Sequence, residues 1–346
     1  MAFAAFRATL RCFARNALRP GGAALLAAAA LGMGTVWPVQ AAEKATLLLN
    51  WYPYSEHAPF FLGKERGYFA AEGIDLDIQE GRGSVSTIQA VAGGTADFGY
   101  ADIPTMIKAA TKGAPVISTG VLLQKSPMAV ISLTEYNIRK PQDLKGKTVA
   151  VTPGDAPSQV WPLFLKKVGL TESEMNIVGG DAQTKINAVV NGRAHAMLGY
   201  LMDQNMKIEE ASKKPTSVMP FSDYGLNLIS SGLLVSKDTA TKRAALVRGF
   251  MKAAIRSVQE TEKDPEAAID AMLRAYPKAG PRAALVAGLK LTIPLYYTDE
   301  TKGQSPFRVS DANFAASVNM MVDYQAIEKD AAADPKRFYS LDFLPK

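Results

Sequence analysis

Aromatic side chains gather directly behind the first apolar strand predicted for this chain. The strand covers about residues 47–50, and Trp51, Tyr54 and His57 follow it closely. A tryptophan face offers a flat ring a large contact area, and a histidine nitrogen can hydrogen-bond a ring substituent in either tautomer. Open α/β sheets bind ligands where their strands end, so the pattern predicts a ligand site here. The alternatives are a core tryptophan under the loop, and a histidine that caps a helix or bonds a backbone carbonyl.

Two further loops of the same series place small or polar residues where strands end. Gly83 and Ser84 join a strand to a helix, where glycine permits close ligand approach and Ser84 can cap the helix. Free N–H groups at such a helix start can bind a polar group. Tyr100 and Asp102 end the next strand in the same way. We expect these four residues at the site, although a plain turn and a helix cap by Asp102 would also explain the pattern.

A second series of strands and helices repeats the arrangement. Gly154 and Asp155 form the turn before a helix, and Tyr200 and Asp203 follow a later strand. Tyr200 could complete an aromatic sandwich with the tryptophan of the first loop, and Asp203 could accept from an exocyclic amine. Capping of the following helix by Asp203 is the alternative. Tyr224 is a third aromatic candidate, although Asp-Tyr-Gly is also an ordinary turn composition.

Patterns for catalysis and metal binding are missing from the sequence. Cys12 is the only cysteine, and His57 and His195 are the only histidines. There is no Gly-x-Ser-x-Gly elbow and no His-x-x-His or Cys-x-x-Cys pair. The run from Gly81 to Gly83 resembles a dinucleotide loop, but Ser86 stands where the third glycine is required. We therefore expect no catalytic residue, no metal and no cofactor.

The N-terminus reads as a cleaved secretory signal covering residues 1–41. It carries Arg7, Arg11, Arg15 and Arg19 without an acidic residue, then an apolar run over about residues 21–34, then small residues up to Ala41. The apolar run falls short of the roughly 20 residues that a bilayer-spanning helix needs. We expect a soluble periplasmic protein, with an uncleaved N-terminal anchor as the alternative. Cys12 precedes the apolar run, which argues against a lipid anchor.

Charge and cysteine content narrow the possible partners. The whole chain has a net charge of +6, and without the four leader arginines 35 basic residues face 33 acidic ones. There is no basic tract with interleaved aromatics, so we expect no nucleic-acid partner. The mature chain has no cysteine and therefore no disulfide. We expect a monomer.

The order of strands and helices predicts an α/β protein with two lobes. A charged, turn-rich break at residues 140–147 separates two alternating series. About 305 residues follow the leader, enough for two cores, since single cores stop growing near roughly 250–300 residues. A mostly helical tail should pack back on the first lobe. The first lobe would hold residues 42–128 and 231–346, the second residues 129–230, with two hinge crossings near residues 124–133 and 227–235.

Three ordered blocks carry a family resemblance that extends over the mature chain. They are residues 47–69 (LLLNWYPYSEHAPFFLGKERGYF), residues 73–78 (GIDLDI) and residues 89–102 (QAVAGGTADFGYAD). Together they resemble the solute-binding proteins of ABC importers in the nitrate, sulfonate and taurine group, nearest to the branch that binds thiamine-pyrimidine precursors. The resemblance implies a type II periplasmic-binding-protein fold, in which each lobe is a mixed sheet flanked by helices. It also implies a membrane permease as partner, and a ring-stacking role for Trp51.

The charges in the predicted loops favour an uncharged or weakly cationic ring such as an aminopyrimidine. Arg82 is the sole cation there, against Asp102, Asp155 and Asp203. If Arg82 points inward, a sulfonate, nitrate or aromatic carboxylate becomes the alternative ligand. Eukaryotic pyrimidine synthases share the implied fold, but they carry a cysteine-rich motif that this chain lacks. The ligand domain of a sensor would need a fused signalling module or a transmembrane segment.

Overall fold

The predicted alternation of strands and helices is present in the computed structural model, which describes residues 42–346. The predicted leader lies outside these residues. The strands are β1 (Glu43–Leu48), β2 (Ile74–Gln79), β3 (Phe98–Asp102), β4 (Val116–Val121), β5 (Met128–Leu133), β6 (Thr148–Val151), β7 (Asn176–Gly179), β8 (Ala196–Tyr200), β9 (Thr216–Pro220) and β10 (Ser231–Ser236). The α-helices are α1 (Ala58–Glu65), α2 (Tyr68–Ala71), α3 (Ser84–Ala92), α4 (Ile103–Thr111), α5 (Ala156–Lys167), α6 (Ala182–Val190), α7 (Gln204–Ser212), α8 (Lys237–Lys242), α9 (Ala244–Lys263), α10 (Pro265–Ala275), α11 (Arg282–Thr292) and α12 (Asp311–Asp323).

The strands form two mixed sheets of five strands in this part of the chain. The first has the order β2-β1-β3-β10-β4 and the second the order β7-β6-β8-β5-β9. In the first sheet β10 runs antiparallel to both of its neighbours, and in the second β5 does so. The chain therefore passes between the sheets twice, after β4 and before β10. We use "first lobe" and "second lobe" for the two sheets with their helices; the lobe boundaries predicted from the sequence stay a prediction.

The C-terminal helices cover the first sheet. Helix α9 packs against α1 and α2, and α10 packs against α1. Phe250 on α9 stacks on Phe98 of β3 with ring centroids 3.8 Å apart, which ties the long helix to the strand. Val247, Met251 and Val258 continue the same buried stripe at helical spacing. Helix α11 packs against the short turn at residues 55–57, and so supports the loop that carries the first aromatic residues.

A few predicted element boundaries were wrong. The first strand is β1 at residues 43–48 rather than 47–50, because its pairing with β2 begins at Glu43 and the chain turns at Asn50. In the helical tail the sequence predicts one helix over about residues 240–263, whereas the structure has two, α8 and α9, which are divided at Arg243. No helix within residues 42–346 combines the length and apolar character needed to span a bilayer.

Candidate functional site

A small cavity lies where the two lobes face each other. The first lobe lines it with Asn50, Trp51, Tyr54 and Ser84, and the second with Asp155, Ala156, Pro157, Lys185, Gly199, Tyr200 and Gln204. Of the residues predicted for the site, Trp51, Tyr54, Ser84, Asp155 and Tyr200 line this cavity. His57, Gly83, Tyr100, Asp102, Gly154, Asp203 and Tyr224 do not.

His57 supports the cavity from behind. Its Nδ1 accepts the Tyr54 N–H at 3.4 Å, so Nε2 carries the proton and donates to Asn50 Oδ1 at 2.8 Å. Burial lowers the pKa of His57 to about 3, which keeps the ring neutral. Because His57 occupies the Asn50 oxygen, the Asn50 amide NH₂ is left to serve the cavity. The structure thus places Asn50, and not His57, in the lining of the cavity.

A buried carboxyl group fixes two tyrosines of the first lobe. Glu56 accepts hydrogen bonds from the hydroxyls of Tyr54 and Tyr100, the latter at 2.7 Å. Burial raises the pKa of Glu56 and raises the pKa of both tyrosines well above their usual value. Tyr54 therefore presents its ring rather than its hydroxyl to the cavity, and Tyr100 is held in the core.

The start of α3 touches the second lobe directly. Gly83 has φ 137°, and a Cβ there would lie 2.7 Å from the Gly154 carbonyl oxygen. The Val85 N–H donates to that same oxygen at 3.1 Å. The two glycines therefore allow the lobes to approach, although neither lines the cavity. Ser84 is not the helix cap, because its Oγ accepts the Asp102 N–H at 3.1 Å.

Asp102 is the cap of α4 rather than a cavity residue. Its Oδ1 accepts from the backbone N–H of Thr105 at 2.9 Å and from the Thr105 hydroxyl at 2.6 Å. The side chain is completely buried, and burial raises its pKa to about 6. The sequence offered a side-chain cap at Ser84 and another at Asp102. Only the cap by Asp102 is present, because the N-cap of α3 is Gly83 and no side chain caps that helix.

A buried ion pair forms the polar part of the second-lobe wall. Lys185 Nζ lies 2.7 Å from Asp155 Oδ2 and donates to the Leu198 carbonyl at 3.0 Å. Asp155 also caps α5 through a 2.8 Å bond from the Ser158 N–H. Arg82, the sole cation of the predicted loops, is exposed and does not line the cavity. The cation of the cavity is therefore Lys185, which the sequence analysis did not identify.

Asp203 links the lobes instead of lining the cavity. Its Oδ2 accepts the Tyr52 hydroxyl at 2.6 Å across the cleft, and its Oδ1 lies 3.1 Å from Lys207 Nζ. The same ammonium lies 3.7 Å from the centroid of the Tyr52 ring. Asp203 does not cap α7 with its side chain. We call Tyr52, Asp203 and Lys207 the interlobe clasp.

Tyr224 lies away from the cavity. Its hydroxyl donates to the Arg139 carbonyl at 3.5 Å, and its ring meets Phe164 edge-on with centroids 6.0 Å apart. The contacts that the structure gives Tyr224 are therefore packing contacts within the second lobe.

The cavity presents mainly hydrogen-bond donors. Trp51 Nε1 and the Tyr200 hydroxyl are buried and have no hydrogen-bond partner within the described part of the chain. Asn50 adds its amide, and Lys185 has a third N–H beyond the two that it uses. Gln204 is already occupied, because its oxygen accepts the Tyr200 N–H at 2.5 Å and its nitrogen donates to Asp203. A ligand rich in acceptors fits this arrangement.

No part of residues 42–346 gathers three or more His, Cys, Asp or Glu side chains placed to hold a metal ion. Asp155, a carboxylate of the cavity lining, is held by Lys185. What the arrangement can do chemically is to bind and orient a flat molecule.

Comparison with known proteins places the chain in a family. Residues 54–268 match the family described as NMT1/THI5 like. The formylaminopyrimidine-binding protein of Halalkalibacterium halodurans is 25% identical over 292 residues, covering 84% of this chain and 87% of that protein. A 4-amino-5-hydroxymethyl-2-methylpyrimidine phosphate synthase of Legionella pneumophila is 25% identical over 238 residues, covering 68% of this chain and 75% of that protein.

Solved structures agree on the fold. The alkanesulfonate-binding protein SsuA from Xanthomonas axonopodis pv. citri, bound to MOPS, has a TM-score of 0.63 and 16% identity, covering 83% of this chain and 94% of that one. This likeness and the two mixed sheets confirm the predicted periplasmic-binding-protein fold class. Because the family match extends over more than half of its residues, this chain belongs to the NMT1/THI5-like family.

Proposed function

We propose that this protein is the solute-binding receptor of an ABC importer, which captures an uncharged pyrimidine-like ring between its lobes and delivers it to a membrane permease. The family, and the relative that is named for binding a formylaminopyrimidine, support the proposal. The predicted leader would export the protein to the periplasm. The observation that carries the proposal is the interlobe cavity itself. Its lining residues Trp51 and Tyr200 each have a buried polar atom, Nε1 and the hydroxyl, that finds no hydrogen-bond partner among residues 42–346.

The charges around the cavity favour an uncharged ligand. Lys185 is neutralised by Asp155, and Lys207 by Asp203. Burying an anion is costly unless a cation compensates it, and neither ammonium is free of a carboxylate. The sequence also favoured an uncharged ring, from the balance of Arg82 against three aspartates. In the structure the reason is different, because Arg82 is exposed and the buried charges cancel in pairs.

Binding would couple to closure of the lobes. The Val85–Gly154 bond and the bond from Tyr52 to Asp203 join the lobes beside the cavity, so the described form is a closed one. A ligand stabilises such a form only to the extent that it prefers it over the open form. Trp51 meets the ligand from the first lobe and Tyr200 from the second, so a ring held on Trp51 would gain its remaining donors when the cleft closes.

A sulfonate, nitrate or aromatic carboxylate is the second candidate ligand. Helices α3 and α5 both begin at the cavity, with Ser84 and Ala156 in its lining. The N-terminus of a helix favours negative charge. The shared fold of the alkanesulfonate-binding protein shows that the architecture accommodates such solutes in that protein.

Calorimetry and thermal shift with a panel of compounds test the proposal. The panel holds 4-amino-5-hydroxymethyl-2-methylpyrimidine and its phosphate ester, together with ethanesulfonate, nitrate and benzoate. We expect the uncharged pyrimidine to bind and to raise Tm, with a weaker response to its phosphate. Stabilisation by the anions alone would reject the uncharged ligand. Mass spectrometry of the recovered compound should show it unchanged, and a new product would favour a synthase like that of the Legionella relative.

A further inference from the structure

Lys185 is almost fully buried, which is rare for a lysine. Only 2% of its side chain is exposed, although it stands in the second turn of α6. A lysine that leaves water needs partners for its charge and its protons. Asp155 Oδ2 and the Leu198 carbonyl take two of the three N–H groups. The ammonium lines the cavity, and its third N–H is available there.

The position of the ammonium relative to Trp51 selects which part of a ligand it can reach. Lys185 Nζ lies 5.2 Å from the centroid of the Trp51 ring. The ammonium lies over the face of the indole. A flat ring stacked on that face would carry its in-plane lone pairs at its rim, on the same side of the indole as the ammonium. Ring nitrogens carry their lone pairs in the ring plane, whereas CH groups at the same positions offer no acceptor.

We propose that Lys185 is the specificity-determining residue of the cavity and that it donates a hydrogen bond to an uncharged ring nitrogen of the ligand. Asp155 supports this role, because it holds the ammonium in place and cancels its charge. The ion pair thus favours a ligand with an uncharged hydrogen-bond acceptor over a ligand with a negative charge. This inference rests on the proposed receptor function and adds to it the ligand atom that is recognised.

The experiment removes both charges together, so that no buried ion is left without its partner. The variant is Lys185→Met with Asp155→Asn, in which asparagine keeps the helix cap. Lys166→Met is the matched control, since Lys166 is exposed on α5 and does not line the cavity. Two probes are titrated by calorimetry: 4-amino-5-hydroxymethyl-2-methylpyrimidine and its carbocyclic analogue, in which CH groups replace both ring nitrogens.

We expect the wild type and Lys166→Met to prefer the pyrimidine strongly over the carbocycle. The double variant should bind the pyrimidine about 10- to 100-fold more weakly, the range for one hydrogen bond from a charged donor. It should lose little affinity for the carbocycle, so the preference falls by the same factor. A thermal melt without ligand checks that the double variant is folded.

The contrary outcomes are distinct. Equal losses for both probes, or a preference that is unchanged, would show that Lys185 acts only in packing and would overturn the inference. Tighter binding of ethanesulfonate than of the pyrimidine by the wild type, in which Asp155 is intact, would show that the site selects anions and would also overturn the inference. If the wild type binds neither ring probe, the proposed function fails rather than the role of Lys185.

Discussion

The two walls of the cavity are built in different ways. The first-lobe wall is neutral, and a single stretch of chain from Asn50 to His57 supplies its ring, its amide and their supports. The second-lobe wall contains an ion pair, and its parts come from the start of α5, from α6 and from the end of β8. The difference suggests two separate roles in binding. The first wall stacks on a flat ring, and the second wall hydrogen-bonds the polar atoms at the edge of that ring once the lobes are closed.

The walls also differ in what fixes them. The first wall is held by buried hydrogen bonds within its own lobe, from His57 to Asn50 and from Tyr54 to Glu56. Its geometry therefore does not depend on closure. The second wall is held within its own lobe by the ion pair of Lys185 and Asp155. The two walls meet only through contacts across the cleft, among them the interlobe clasp. Variants that damage one wall or the other should separate capture from retention.

The largest expected effect is the loss of Trp51 from the first wall. Trp51→Ala removes both the stacking face and the unpartnered Nε1 donor, and should weaken binding of the uncharged pyrimidine by at least about 2 kcal/mol, or ~30-fold. The quenching of tryptophan fluorescence by ligand should also vanish. Calorimetry and a fluorescence titration measure the two effects.

Trp161→Phe is the control for that experiment. Trp161 is buried in the second lobe, where it stacks against Phe164, and it does not line the cavity. The chain has one other tryptophan, Trp37, which lies in the predicted leader. Trp161→Phe should therefore keep both affinity and quenching. Quenching that persists in Trp51→Ala would contradict the placement of the ring on the first wall.

Much of the first wall could be predicted from the sequence because its signals are local. The sequence predicts a strand over residues 74–79 and a helix over about residues 84–92, and β2 and α3 have these bounds, since Gly73 and the Gly81–Gly83 turn mark them. Trp51 lies shortly after the end of β1, so its position at the end of the strand could be predicted without any distant contact. The roles of individual polar residues were less accessible, because a carboxylate at a strand end can cap a helix or face the cleft, and Asp102 does the former.

The second wall shows what the sequence leaves open. Lys185 sits in an ordinary amphipathic helix, and its partner Asp155 lies 30 residues away. Only the packing of both α5 and α6 against β8 brings the two together. The bond from Tyr52 to Asp203 spans 151 residues and depends on closure as well. No spacing rule links such pairs, so Lys185 was missed and Asp203 was assigned to the ligand.

The next effect concerns the support of the first wall and appears as pH dependence. The pKa of His57 is lowered from 6.5 to about 3 in the folded protein. Below pH 6.5 the unfolded chain binds a proton that the folded protein does not, so stability is lost as pH falls from about 6.5 towards 3. His57→Gln can keep both hydrogen bonds and cannot titrate. Between pH 7 and pH 5 the wild type should lose about 2 kcal/mol more unfolding free energy than this variant.

Urea unfolding at the two pH values measures this difference. Asp102 and Glu56, whose pKa values are raised by burial, change stability in the opposite direction, but they are present in both proteins and cancel in the comparison. Affinity for the pyrimidine at pH 7 should stay within a few-fold of the wild type, because Asn50 keeps a donor to its oxygen. Equal acid sensitivity of the two proteins would show that His57 is charged or solvated in the folded state.

The smallest effect should come from the interlobe clasp, which touches no ligand. Tyr52→Phe removes the hydroxyl that donates to Asp203, and Asp203→Asn weakens the same bond and the pairing with Lys207. Each change should cost the closed form about 1 kcal/mol, which raises the dissociation rate of the pyrimidine ~5-fold and leaves the association rate unchanged. Because both act on one contact, the double variant should be little worse than either single one.

Tyr224→Phe is the matched control, since it removes a tyrosine hydroxyl outside the cavity. Stopped-flow fluorescence gives both rates. If the clasp variants slowed association instead, Tyr52 would belong to the wall that receives the ligand, and the two walls could not be assigned to separate stages of binding.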